Sequence, residues 1–148
     1  MLLSVIGCGY LGAVHAAAMA RLGHRVVGVD VDGAKVAALA TGRAPFYEPE
    51  LDAALAEGLA AGRLSFTDDI GQAADCAVHF ICVGTPQAAG SLAADLTALH
   101  GAAEALVARL RPGAVVVGKS TVPVGTARPL AARLADADAD ADLVWNPE

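Results

Sequence analysis

The sequence predicts an α/β fold built on a doubly wound parallel sheet, with helices on both faces in a three-layer α/β/α stack. Three observations carry this. Short apolar runs alternate along the chain with longer helix-forming segments, the pattern of repeated strand–helix units. The first run leads directly into glycines at G-x-G-x-x-G spacing, Gly7, Gly9 and Gly12. The polar motifs then fall just after apolar runs, at the sheet edge where open α/β folds bind ligands.

Met1 to Ile6 holds only Ser4 as a polar residue and reads as a buried strand. An Ala-rich helix from Leu11 to Leu22 follows the glycines. Gly7 lets the chain turn off the strand. Gly9 leaves room for a pyrophosphate to approach the backbone, and Gly12 lets helix and strand pack closely. The open amides at the helix start, with the helix dipole behind them, favour phosphate. Arg25 to Val29 is a second strand and ends on Asp30, at about 20 residues past the glycines, the place of a ribose-binding carboxylate. A carboxylate accepts from ribose hydroxyls and repels a 2′-phosphate, so the spacing predicts NAD over NADP.

Asp32 is placed to cap a helix through Val36 and Leu39, which Gly42 stops. A loop from Ala44 leads to Pro49, suited to the first turn of a helix carrying Leu51, Leu55 and Leu59 and ending near Gly62. Leu64 to Thr67 is a short strand, and Asp68-Asp69 begin a brief helix to Ala74. Cys76 to Val83 is nearly continuous apolar sequence, the mark of a strand buried on both faces. Helix resumes from Asp95 to Leu110, and Pro112-Gly113 turns the chain into a strand over Ala114 to Val117. A helix from Thr126 to Ala135 and a last strand, Leu143 to Trp145, complete the pattern. Six strands in two βαβαβ halves predict the order 3-2-1-4-5-6, the Rossmann arrangement.

Composition narrows the function classes. A chain of 148 residues suits one domain. A net charge of −6 without any basic cluster argues against nucleic acid and anionic membranes as partners. Residues 1–20 carry no Lys, Arg, Asp or Glu, yet they lack the basic start of a signal peptide, and their glycines would interrupt a membrane helix. Cys8, Cys76 and Cys82 show no metal-ligand spacing, which suits a reducing cytoplasm, and they read as small apolar filler rather than nucleophiles. His15, His24, His79 and His100 show no ligand spacing either. Asp136, Asp138, Asp140 and Asp142 alternate with alanine but lack the glycine and distal glutamate of a calcium loop, so a solvated acidic connection is expected and no metal. Lys119 is open between a catalytic role and a contact to a helix terminus or solvent.

These residues resemble a known family, the UDP-glucose/GDP-mannose dehydrogenases, and specifically their N-terminal NAD-binding domain. Gly7-Cys8-Gly9-Tyr10-Leu11-Gly12 is similar to its opening G-x-G-Y-x-G, Tyr47-Glu48-Pro49-Glu50-Leu51 to its Y-E-P-x-L, and Val83-Gly84-Thr85-Pro86 to its V-G-T-P loop. Lys119 to Thr126 matches its K-S-T-V-P-V-G-T run throughout, and Asn146-Pro147-Glu148 resembles the start of its N-P-E-F-L segment. Ala89 departs from the aspartate many members carry before Gly90, in a variable loop.

The resemblance implies oxidation of a nucleotide sugar's C6 alcohol to a carboxylate, with two NAD used in turn and a cysteine thioester between. It implies that Gly7, Cys8, Gly9, Tyr10, Leu11 and Gly12 hold the pyrophosphate, and Asp30 and Lys35 the adenosine ribose. Val83, Gly84, Thr85, Pro86 and Gln87, with Ser120, Thr121 and Val122, would line the nicotinamide half. Thr121 would orient a catalytic water or the substrate oxygen, and Glu148 would assist proton transfer in thioester hydrolysis, roles their hydroxyl and carboxylate suit. The family's nucleophilic cysteine and most nucleotide-sugar contacts lie beyond residue 148. The chain is therefore expected to bind NAD without turnover, as part of a longer and homo-oligomeric enzyme. Two other readings compete, a non-catalytic NAD sensor and another hydroxyacid-type dehydrogenase. The Lys119 to Thr126 run speaks against the first, and Tyr47 to Leu51 with Asn146 to Glu148 against the second. Which sugar is oxidised stays open.

Overall fold

A computed structural model describes residues 1–147. The chain runs through β1 (Leu2–Ile6), α1 (Tyr10–Arg21), β2 (Arg25–Val29), α2 (Gly33–Ala40), α3 (Leu51–Ala60) and β3 (Leu64–Thr67). The second half comprises a 3₁₀ turn (Ile70–Ala73), β4 (Val78–Ile81), α4 (Thr97–Val107), β5 (Ala114–Gly118), α5 (Ala127–Asp136) and β6 (Ala141–Trp145). The strands form one sheet in the order β3-β2-β1-β4-β5-β6, and every pairing is parallel. The doubly wound topology read from the alternating runs is the one observed.

Two cores sandwich this sheet. On one face Leu3 and Val5 of β1 pack with Ala13, Ala16, Ala17 and Ala20 of α1 and with Leu51 and Leu55 of α3. Alanine at each contact brings α1 close to the strands, as the small-residue helix required. On the other face Ile6, Ile81 and Val116 pack beneath Leu99 and Leu106 of α4.

Local chemistry sets the element ends. Asp32 caps α2, its Oδ1 accepting from the amides of Ala34 (3.0 Å) and Lys35 (3.2 Å), and Gly42 leaves the helix with φ +78. Pro49 lies outside α3 rather than in its first turn, because Glu50 takes a left-handed φ of 65 and serves as the N-cap. β4 is shorter than its apolar run. Cys76 and Cys82 flank it and are buried without lying in the strand, so burial extends past the ladder. The brief helix after Asp69 is 3₁₀, with Asp69 Oδ1 accepting from the Gly71 amide at 2.8 Å. β6 begins at Ala141, so Asp142 is not part of an acidic connection; it is an exposed charge on an edge strand, which discourages further strand pairing.

Two glycines within strands make room for aromatic rings. Gly28 lies in register with Phe66 on β3, and a Cβ there would meet the ring at 2.4 Å. Gly118 lies in register with Trp145 on β6, and a Cβ there would meet the indole at 2.5 Å. The outer strand of each half thus lays its ring over a glycine of the strand beside it.

At the sheet centre Ser4 and His79 face each other in register, and Ser4 Oγ lies 2.8 Å from His79 Nδ1. Both are fully buried. Burial pushes the imidazole down to about 4 from 6.5, so the folded protein holds it neutral while the unfolded chain protonates it below 6.5. Stability from this group is therefore present above pH 6.5 and lost as pH falls toward 4. Chemical denaturation of the unmutated chain and of His79→Gln should diverge on acidification, the unmutated chain losing about 2 kcal/mol more between pH 7 and pH 5. Parallel pH profiles would refute the assignment.

Candidate functional site

The polar motifs converge on the carboxyl edge of the sheet. β1 runs out into Gly7 at φ +89, and Gly7 donates its amide to the Val29 carbonyl of β2 at 2.8 Å. A Cβ on Gly7 would lie 2.8 Å from the Val83 backbone, and one on Gly12 only 1.8 Å from the Gly7 carbonyl oxygen. Both positions exclude any side chain. Gly9 is different: its φ is −71, and a Cβ there meets nothing within 4 Å. Space lies open in front of it. Gly9 is the N-cap of α1, and no side chain caps that end, so the helix presents backbone donors to the opening.

At the end of β2 the Asp30 side chain is buried, 7% exposed. Its Oδ2 accepts from the Cys8 amide at 2.8 Å and from Lys35 Nζ at 2.9 Å, and its Oδ1 from the Asp32 amide at 3.0 Å. A carboxylate out of water requires such partners. The Cys8 amide is thus committed to Asp30 rather than facing the opening. The Cys8 thiol is buried, and burial first and the Asp30 charge second push it up to about 12. Cys76 is likewise pushed up to about 11, mainly by burial. Neither is a thiolate at neutral pH.

The loops after β4 and β5 are tied together. Thr85 Oγ1 donates to the Thr121 carbonyl at 2.7 Å, and Ser120 Oγ donates to the Val83 carbonyl at 2.7 Å. Ser120 is buried, so its hydroxyl points into the sheet. Thr121 is exposed on the rim, and Val122 packs on the core below. Gln87 turns its amide onto the Ser91 carbonyl of its own loop, 2.7 Å away, while Gly84 and Pro86 are exposed. Lys119, left open by the sequence, donates to Asn146 Oδ1 at 3.1 Å and joins the ends of β5 and β6. Glu148 lies outside the described residues. Gly28 and Gly118 escaped the sequence reading; a glycine inside an otherwise apolar strand was the signal for each.

This geometry matches a family. The sequence profile of the UDP-glucose/GDP-mannose dehydrogenase family, NAD binding domain, matches residues 1–148. The chain belongs to this family. UDP-glucose 6-dehydrogenase of Rhizobium meliloti is 44% identical over all of this chain and 35% of its own length. UDP-glucose 6-dehydrogenase of Pseudomonas aeruginosa is 48% identical over 86% of this chain and 28% of its own. Among solved structures, a GDP-mannose dehydrogenase ternary complex from Pseudomonas aeruginosa superposes with a TM-score of 0.93 at 36% identity, over all of this chain and 36% of that one. A UDP-D-ManNAc dehydrogenase from Pyrococcus horikoshii gives 0.94 at 32% identity, with the same coverage. The chain spans about a third of the length of these relatives. Within the family it corresponds to the NAD-binding domain.

NAD fits the residues present. The open front of Gly9, the uncapped start of α1 and the buried Asp30 form a cradle with donors for a pyrophosphate and an acceptor for a ribose. Gly9→Val should therefore fold normally yet lose NADH binding, since its backbone and free space admit the side chain while a bound pyrophosphate does not. Thermal melts and calorimetry check this; retained binding would reduce the glycines to a structural turn.

Proposed function

We propose that this chain is the cofactor domain of a nucleotide-sugar 6-dehydrogenase, which oxidises a sugar C6 alcohol to a carboxylate in two NAD-dependent steps. The observation that carries the reading is a single rim that joins the glycine cradle, Asp30 and the tied loops bearing Thr85 and Thr121. NAD, when bound, supplies the hydride acceptor. In this reading the amides of Gly9 to Gly12 seat the pyrophosphate, while Asp30 and Lys35 hold the adenosine ribose. Residues 83–87 and 120–122 frame the nicotinamide half. Within that frame Ser120 and Thr85 act by fixing backbone, and Thr121 presents its exposed side chain to a water or substrate oxygen. Glu148 is proposed as the group that moves a proton in the hydrolytic step.

The nucleotide sugar and the nucleophilic thiol belong to a region these 148 residues do not include; none of Cys8, Cys76 and Cys82 is exposed. We also place the enzyme in the cytoplasm as a homo-oligomer that makes a nucleotide-activated uronic acid for polysaccharide assembly. The three cysteines form no disulfide, which accords with a reducing compartment, and among the described residues no helix is long and apolar enough to cross a membrane.

Two outcomes are expected. The chain should bind NADH more tightly than NADPH, and Asp30→Ala should narrow that ratio, because the variant removes the anion and leaves Lys35 to meet a 2′-phosphate. The variant also strips the Cys8 amide of its partner, so the ratio of affinities rather than their size is the measure. Equal affinities before mutation would overturn the assignment. Residues 1–148 alone should reduce no NAD with any nucleotide sugar, and in the longer enzyme Thr121→Ala should lower kcat more than it raises KM. Turnover by the isolated chain would return one of the three cysteines to the mechanism.

A further inference from the structure

Tyr10 is the first residue of α1, immediately after the open Gly9. Its ring does not pack into the core; it is 60% exposed and leans on Phe46, with centroids 5.3 Å apart and planes tilted by 37°. Its hydroxyl donates to the carboxylate of Glu48. Phe46 and Glu48 both lie on the segment between α2 and α3, which nothing in the dinucleotide reading has so far used.

That segment is itself well held. The Ala44 amide donates to Asp52 Oδ1 at 2.8 Å, the Leu51 amide to the Glu48 carbonyl at 3.3 Å, and Phe46 packs against the core beneath α1. Glu48 is half-buried, and its backbone is fixed by the start of α3. A hydrogen bond from such a seat constrains the exposed phenol at the helix start.

We propose that Glu48 is a positioning residue for dinucleotide binding: by accepting from Tyr10 it pins the first turn of α1 and so orients the backbone donors that meet the pyrophosphate. The proposal rests on the reading of Gly9 to Gly12 as the pyrophosphate seat. Electrostatics supplies a rival with the opposite sign. A carboxylate beside the positive end of a helix competes with an incoming phosphate, so if Glu48 acted by charge alone, neutralising it would tighten binding. If it acts by geometry, a neutral acceptor suffices and only loss of the acceptor weakens binding.

Calorimetric NADH titrations of the unmutated chain, Glu48→Ala, Glu48→Gln, Tyr10→Phe and the Glu48→Ala/Tyr10→Phe double variant separate the two. Tyr10→Phe retains the ring against Phe46 and so protects the fold. Losing one such hydrogen bond should weaken NADH by about fivefold in Glu48→Ala and in Tyr10→Phe, with the double variant no worse than either. Glu48→Gln should stay within about twofold of the unmutated chain, since its carbonyl still accepts. A second readout needs no cofactor. Only Tyr10 and Tyr47 contribute phenols, and the Glu48 bond holds Tyr10 above its ordinary ionisation range, so ultraviolet titration of Glu48→Ala should show one phenol ionising at lower pH.

Unchanged affinities, additive losses, or tightening in both Glu48 variants would overturn the proposal, as would a phenol titration indifferent to Glu48→Ala. Absence of NADH binding by the unmutated chain, with the phenol shift intact, would instead overturn the pyrophosphate reading, and the positioning role with it.

Discussion

One buried carboxylate ties the ligand-facing half of this domain together. Asp30 sits at the end of β2, nearly out of water, and takes donors from three places: the Cys8 amide in the glycine loop, the Asp32 amide ahead of α2, and the Lys35 ammonium on α2. An anion so placed is tolerated only with such a complement. The first strand-to-helix turn and the start of the second crossover are therefore fixed to one another through a single side chain. The same group is the proposed ribose acceptor, so a structural bond and a ligand bond share one pair of oxygens. Its removal changes both the shape of the cradle and its charge.

Around that anchor the site is mostly backbone. Gly7 and Gly12 are forced by contacts too close for a Cβ, whereas Gly9 is left open. The hydroxyls of Ser120 and Thr85 bond to carbonyls across the β4 and β5 loops, and Thr121 lies on the same rim. Short polar side chains at strand ends thus tie two loops to one another along the rim.

Much of this was legible in the sequence. The strand order follows from six apolar runs and the glycine spacing, because parallel strands joined by helices have few right-handed solutions. The place of Asp30 at the end of β2 was legible from the apolar run before it. What escaped was every fact that depends on a partner distant in sequence. Nothing near Ser120 says that its hydroxyl reaches back to Val83. The commitment of the Cys8 amide to Asp30 is a tertiary event, and so is the pairing of Lys119 with Asn146. Boundaries failed where burial and hydrogen bonding part company. The apolar run around β4 continues beyond its ladder, and Asp142 sits in a strand whose outer edge is free to carry charge. Pro49 misled because the left-handed Glu50 carries the capping turn that proline was expected to open.

Trp145 gives the domain an optical property. It is the only tryptophan, its indole lies flat over Gly118, and its Nε1 donates to the Ser120 carbonyl at 3.2 Å, beside the proposed nicotinamide half. Indole emission overlaps the absorption of a reduced nicotinamide ring, so excitation of this one fluorophore will pass to a reduced ring seated nearby and not to the oxidised one. A glycine kept small for the sake of packing has thereby seated an intrinsic energy-transfer donor beside the proposed nicotinamide half, where the colour of the emitted light would report the redox state of a cofactor bound there.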